Sequence, residues 1–193
     1  MFDVLEAGGF RCHPAKSQVG GDCLDFLGYE ISRFGLTPQE ARVKALVDMP
    51  KPSNLEELRV ALGKLRYYGT FCPDFSARAR PMLDLLQVSK AWEWGAKQQA
   101  SYDDIKQEIA QPGKALMRFD STRPTYVHCD FSQVGLGAVL SQIDADGKER
   151  MVACASRSLS VSERRYSSYK GECLACVWAV KIFSRLYTES ILR

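Results

Sequence analysis

Residues Thr125–Gln142 read TYVHCDFSQVGLGAVLSQ, and the pattern of this stretch decides the fold class of the 193-residue chain. Tyr126, His128 and Asp130 fall on one face of an extended segment and Thr125, Val127 and Cys129 on the other, the period of two that marks a strand. Gly135–Gln142 follows as a compact apolar run whose glycines let backbones approach closely. Asp144-Ala145-Asp146-Gly147 has the chemistry of a hairpin turn, and Met151–Ser156 completes a three-stranded meander. The turn superficially resembles a calcium loop. Aligning Gly147 with the loop's sixth position puts Ala153 where a bidentate glutamate is required, so a turn is the reading that stands.

The next decisive stretch, Ser167–Tyr187, reads SSYKGECLACVWAVKIFSRLY. Ala175, Cys176, Ala179, Ile182, Phe183 and Leu186 recur at helical spacing and predict a long helix packed on the meander. Glu172 precedes Ala175 and Cys176 by three and four residues and is expected to head the same inward stripe. A helix so packed would point Glu172 at the strand carrying Asp130. Two carboxylates brought together in this way suit a hard cation such as magnesium.

With these residues in view, the chain resembles the ribonuclease H region of LTR-retrotransposon reverse transcriptases of the gypsy class. HCDFSQVGLGAVLSQ matches that family's first two strands, with Asp130-Phe131-Ser132 where the family usually has Asp-Ala-Ser. ASRSLSVSERRYSSYKGECLACVWAV, from Ala155 to Val180, follows its third strand and first helix. The resemblance implies that Asp130 and Glu172 are catalytic, metal-holding carboxylates, the first two of four around two Mg2+ ions. It places the third and fourth beyond the long helix, where this sequence departs from the pattern after Tyr187 and stops at Arg193. The strand bearing Asp130 is then expected to be an unpaired edge.

The resemblance extends upstream to about Leu5. Met1–Ala7 reads as the end of a helix closed by Gly8-Gly9. Two extended segments, Phe10–Val19 and Cys23–Phe34, are expected to pair about a turn at Gly20-Gly21. In the family this hairpin is the primer grip, which carries nucleic-acid contacts onto Phe26, Leu27, Gly28 and Tyr29. Thr37-Pro38-Gln39-Glu40 predicts a helix start capped by Thr37, and Pro50-Lys51-Pro52 a stop. Ser53-Asn54-Leu55-Glu56 opens a second helix with Leu55, Leu58, Leu62 and Leu65 inward and Arg59, Lys64 and Arg66 elsewhere. Phe75, Met82, Leu83 and Leu86 support a further helical segment. The family's thumb has this pattern and lies on the backbone of the template–primer duplex, so Lys64, Arg66, Tyr67 and Tyr68 are candidate contacts. Trp92 and Trp94 mark the passage to a helix over 97–110, with Tyr102, Ile105 and Ile109 inward.

Bulk properties bound the reading without deciding it. Hydrophobic content of 46% and charged content of 25% are ordinary for globular proteins. The net charge is +3; residues 1–95 carry 12 basic and 12 acidic side chains, residues 96–193 carry 14 and 11. The excess includes Arg157, Arg164, Arg165 and Lys170 before the long helix, a cluster able to meet phosphates or simply to be solvated. Seven cysteines without regular spacing argue for an intracellular reducing compartment, cytoplasm or nucleus, rather than a disulfide framework. Cys173 and Cys176 form a lone CxxC on a helix and read as packing residues. Neither signal peptide nor bilayer-length apolar run is present.

The expected architecture is α+β: a β-hairpin and helical thumb followed by a truncated ribonuclease H-like mixed sheet, a three-stranded antiparallel meander plus a long helix. The units are 1–36, the end of a polymerase palm with the primer grip; 37–90, the thumb; and 91–193, a partial ribonuclease H-like domain. The lineage activity is RNA-directed DNA synthesis, a nucleotidyltransferase reaction, with endonuclease cleavage of RNA–DNA hybrid. The polymerase's palm aspartates and two of the four nuclease carboxylates have no counterpart in the 193 residues, so the isolated chain is expected to be catalytically incomplete. The alternatives are a non-catalytic nucleic-acid-binding module co-opted from the element, or a non-functional remnant. Expected partners are RNA–DNA hybrid or template–primer duplex and the remainder of the Pol polyprotein, with no membrane and no small-molecule cofactor.

Overall fold

The computed structural model describes residues 2–13, 17, 20–87, 91–112 and 114–191. Its elements are α1 (Phe2–Ala7), β1 (Cys23–Phe26), β2 (Tyr29–Ser32), β3 (Gly35–Pro38), α2 (Glu40–Val47), α3 (Leu55–Tyr67), α4 (Phe75–Arg78), α5 (Arg80–Leu83), α6 (Ala96–Ala110), β4 (Thr125–Phe131), β5 (Gly135–Ile143), β6 (Glu149–Ser158) and α7 (Ser168–Ile191). The fold is α+β. Two antiparallel sheets, ordered β1-β2-β3 and β4-β5-β6, flank a helical unit. None of its helices is long and apolar enough to cross a membrane among the described residues.

The meander and long helix form as expected, each a little longer than the sequence pattern indicates. Elsewhere the chain corrects the sequence reading. The hairpin closes at Leu27-Gly28, not Gly20-Gly21: Phe26 pairs with Tyr29, and both turn residues have positive φ, 50° and 82°. That is the geometry of a two-residue hairpin turn. The expected partner, Phe10–Val19, has no strand at residues 10–13 or 17, and 14–16, 18 and 19 lie outside the described residues. Pairing falls instead to a third strand.

Thr37 and Pro38 belong to that strand rather than to a helix cap. Pro38 sits opposite Tyr29 at the strand's end, where a missing N–H breaks no ladder. Helix α2 therefore starts two residues later than the capping pattern suggests. At α3 the box is displaced by one residue. Asn54 Oδ1 accepts from the Glu57 amide at 2.9 Å, and Glu57 Oε2 accepts from the Ser53 amide at 2.8 Å.

One core gathers Leu58, Ala61, Leu62 and Leu65 of α3, Phe71, Met82, and Tyr102, Ile105 and Ile109 of α6. Trp92 and Trp94 stack on each other, ring centroids 6.0 Å apart, and pack against this core. Helix α6 thus shares its apolar face with α3. A second core joins Val127 and Cys129 of β4, Ala138 and Leu140 of β5, and Ala179 and Phe183 of α7. Between the two, Leu116 makes a bridge with Leu36 of β3 and the Met117 amide donates to the Met151 carbonyl at 2.7 Å. Gln142 is fully buried; its amide donates to the Asp120 carbonyl and Thr125 Oγ1 and accepts from the Asp120 amide. Both of its N–H donors and its carbonyl oxygen are engaged, as burial demands.

Gly35 has φ +127°, and a methyl group there would overlap the Leu116 carbonyl. Gly35→Ala is expected to cost roughly 1–3 kcal/mol and lower Tm by roughly 2–10 °C. Gly63→Ala, at an open helical position, is expected to stabilise by about 0.5–1 kcal/mol. Thermal denaturation of both variants checks the pair, and equal effects would contradict this account of Gly35.

Candidate functional site

The hairpin tip is held by phenols. Tyr67 donates its hydroxyl to the Leu27 carbonyl, Tyr68 to the Gly28 carbonyl at 3.3 Å, and Tyr29 to the Tyr67 carbonyl at 2.8 Å. The rings pack as well: Tyr29 stacks on Tyr67 with centroids 5.2 Å apart, and Tyr68 meets Tyr67 edge-on at 4.9 Å. Gly28 is needed twice here, for its positive φ and because a Cβ would lie 2.9 Å from the Tyr68 hydroxyl. Burial, then the neighbouring Tyr67, holds the Tyr29 phenol above its ordinary range, and burial does the same for Tyr68. Tyr29 and Tyr68 are therefore a platform on which the tip rests. Phe26 and Leu27 stand outward, 54% and 70% exposed. Lys64 and Arg66 are exposed on α3 and join none of the ion pairs among the described residues.

The basic cluster before α7 divides. Arg157 is bound within the fold, its Nη1 and Nη2 donating to the two Glu163 carboxylate oxygens at 2.8 Å each, with its guanidinium over Trp178. Arg164, Arg165 and Lys170 are exposed. Two exposed aromatics lie among them, Tyr166 at 42% and Tyr169 at 80%. Sequence reasoning passed over both, although aromatic rings interleaved with basic residues are a recognised nucleic-acid signature.

Asp130 lies on β4 and Glu172 near the start of α7. Helix α7 packs on the β4 face formed by Val127, Cys129 and Phe131. Strand alternation puts Asp130 on the opposite face with Tyr126 and His128. The inward stripe of α7 is Ala175, Ala179 and Phe183 flanked by Leu174 and Trp178; Glu172 and Cys176 are exposed at its margin, and Ile182 is 41% exposed. Both acids nevertheless come near one thiol. Cys129 is pushed up to about 11, first by burial, then by its hydrogen bond with Cys176, and then by the charges of Cys176, Glu172 and Asp130. Asp130 and Glu172 are both exposed and both within electrostatic reach of Cys129.

On its own face Asp130 lines a recess of about 150 Å³ with Asp74, Ala77, Ser132 and Ser156. The helical unit docks there. The Ser76 amide donates to Ser156 Oγ at 2.9 Å, the Cys154 thiol donates to the Thr70 carbonyl at 3.1 Å, and the Asp74 carboxylate lies against Gly137. Asp74, with φ +56°, was not singled out from the sequence; only the docking brings it beside Asp130. The resemblance to the ribonuclease H region implies a divalent metal, for which Asp130 and Glu172 are the two matching carboxylates. No three His, Cys, Asp or Glu side chains converge on a metal position among the described residues.

Glu163 is held at about 2, chiefly by the Arg157 guanidinium and then by the Ser160 amide. A carboxylate depressed in the folded state stabilises above its unfolded value and loses that contribution as pH falls through the folded one. The Tm difference between wild type and Glu163→Gln is thus expected to be largest near neutrality. It should close as pH falls from about 4.5 towards about 2. Thermal melts across that range check it, and a difference independent of pH would contradict the assignment.

Comparison with known proteins accords with the fold. Residues 94–191 match the family described as "RNase H-like domain found in reverse transcriptase". The Transposon Tf2-3 and Tf2-4 polyproteins of Schizosaccharomyces pombe are each 33% identical over 182 residues, covering 94% of this chain and 13% of their own length. The chain therefore corresponds to a small part of those relatives. The foamy viral protease-reverse transcriptase dRH in complex with double-stranded DNA superposes with a TM-score of 0.77, covering 96% of this chain and 32% of that one at 20% identity. The same viral protein in complex with RNA/DNA hybrid gives 0.71, covering 88% and 23% at 19% identity. At such identities the likeness speaks for the fold. The chain belongs to the RNase H-like domain family found in reverse transcriptases.

Proposed function

We propose that the chain is a segment of a gypsy-class retrotransposon Pol polyprotein that grips RNA–DNA hybrid or template–primer duplex and does not cleave it unaided. In this reading residues 1–36 end a palm with the primer grip, 37–90 are the thumb, and 91–193 carry the ribonuclease H-like part. The observation that carries the proposal is the exposed run Arg164, Arg165, Tyr166, Tyr169 and Lys170 leading into α7, with Lys64 and Arg66 exposed on α3 as a second basic patch. Cations there would neutralise phosphates and the tyrosine rings would stack on bases or sugars. The relatives bound to double-stranded DNA and RNA/DNA hybrid support the partner class.

The same geometry argues against cleavage by these residues alone. Asp130 is exposed on β4 and Glu172 on α7, and no further acid, histidine or cysteine joins them in a metal-holding group among the described residues, whereas a two-metal nuclease centre needs several carboxylates convergent. Arg157 contributes by fixing the loop that presents Arg164 and Arg165, since its guanidinium is already occupied by Glu163.

Binding of a labelled RNA–DNA hybrid is expected to weaken with salt. Changing Lys64 and Arg66 to alanine should lower the slope of log affinity against log salt by about 2, and changing Arg164, Arg165 and Lys170 by about 3. Unaltered slopes would exclude these surfaces. Incubation of the same hybrid with magnesium should release no fragments above background. Magnesium-dependent cleavage abolished by Asp130→Asn would overturn the non-cleaving reading.

A further inference from the structure

The geometry points to an oxidative modification site: we propose that Cys129 of β4 and Cys176 of α7 form a reversible disulfide when the chain meets a peroxide. Their Sγ atoms are 3.2 Å apart. A disulfide sets them near 2.05 Å, so closure requires an approach of about 1.2 Å, within reach of small side-chain and helix adjustments. The two residues are distant in sequence and come together only because α7 lies on this strand.

The neighbourhood selects this pair over the other cysteines. All seven are reduced. Cys72 is buried and donates to the Pro73 carbonyl, and Cys154 donates to the Thr70 carbonyl at 3.1 Å. Cys173 is exposed, but it lies on the same helix as Cys176, three residues earlier. Cys129 is half-buried and Cys176 exposed, so the oxidant reaches Cys176 first and Cys129 resolves the product.

The chemistry balances in two steps. The Cys176 thiol attacks hydrogen peroxide, the O–O bond breaks, and a sulfenic acid and one water form. The Cys129 sulfur then attacks the Cys176 sulfur; the S–O bond breaks, the S–S bond forms, and a second water leaves with the Cys129 proton. Two thiols are oxidised and one peroxide is reduced. A dithiol reductant reverses the change. The cross-link pins the edge strand to the helix between Asp130 and Glu172 and closes a long loop of chain, a constraint on the unfolded state.

The test treats the full chain with one equivalent of hydrogen peroxide, blocks remaining thiols by alkylation, and maps a non-reducing digest by mass spectrometry. The expected result is a linked peptide pair containing Cys129 and Cys176, the loss of two free thiols, and a Tm raised by roughly 5–10 °C that dithiothreitol restores. Cys176→Ser, at an exposed helical position, should abolish the link and the Tm shift, while Cys173→Ser should leave both intact. A Cys173–Cys176 link, a Cys72–Cys154 link, cross-linking between chains, or Cys176 oxidised beyond the sulfenic state with Cys129 still free would each overturn the proposal.

Discussion

Strand β5 is covered on both faces, and that double burial organises the rest of the molecule. On one side Leu136, Ala138 and Leu140 meet α7 through the second and third apolar clusters. On the other, Gly137 receives the Asp74 carboxylate as the helical unit docks through Ser76, Ser156, Thr70 and Cys154. A strand in this position reads as an almost continuous apolar run rather than an alternating one. The strands beside it are exposed on one face or at one edge. Whatever β4 and β6 present is therefore set by how tightly β5 is gripped.

The arrangement has a direct consequence for the acids. With α7 on the Val127, Cys129 and Phe131 face of β4, Asp130 lies on the opposite, exposed face and Glu172 stands exposed on the helix. After burial and the Cys176 hydrogen bond, both carboxylates help hold the Cys129 thiol above its ordinary range.

The hairpin and the helical unit illustrate a second theme, in which side chains that resemble ligand contacts are employed internally. Tyr29, Tyr67 and Tyr68 direct their hydroxyls to backbone carbonyls, and Arg157 directs its guanidinium to Glu163. Buried or half-buried polar groups are costly without partners, so these residues stabilise the platform. The exposed Phe26, Leu27, Lys64, Arg66, Arg164, Arg165 and Lys170 face solvent from it. The functional surface is smaller than the list of suitable residue types, and the remainder is what holds it rigid.

Much of this could be read from the chain alone because it follows from local periodicity. The alternation of Thr125–Asp130, the apolar run Gly135–Gln142, the turn ending in Gly147 and the apolar spacing of α3, α6 and α7 are properties of short windows, and each gave its element. The misreadings arose where tertiary pairing overrode local preference. Thr37-Pro38 has the chemistry of a helix start, yet it pairs with Tyr29 and Glu30 as strand because β2 offers an open ladder. The inward stripe of α7 is rotated towards Ala175, Ala179 and Phe183, which leaves Glu172 at its margin. That rotation depends on which residues of β4 and β5 the helix meets, and nothing within the helix records it. Residue chemistry and element order were thus fixed by sequence. Where Glu172 stands on α7 relative to the sheet, which cations remain available and which two of seven cysteines touch were decided by packing, because those are relations between layers whose contacts form only when the sheet is gripped from both sides.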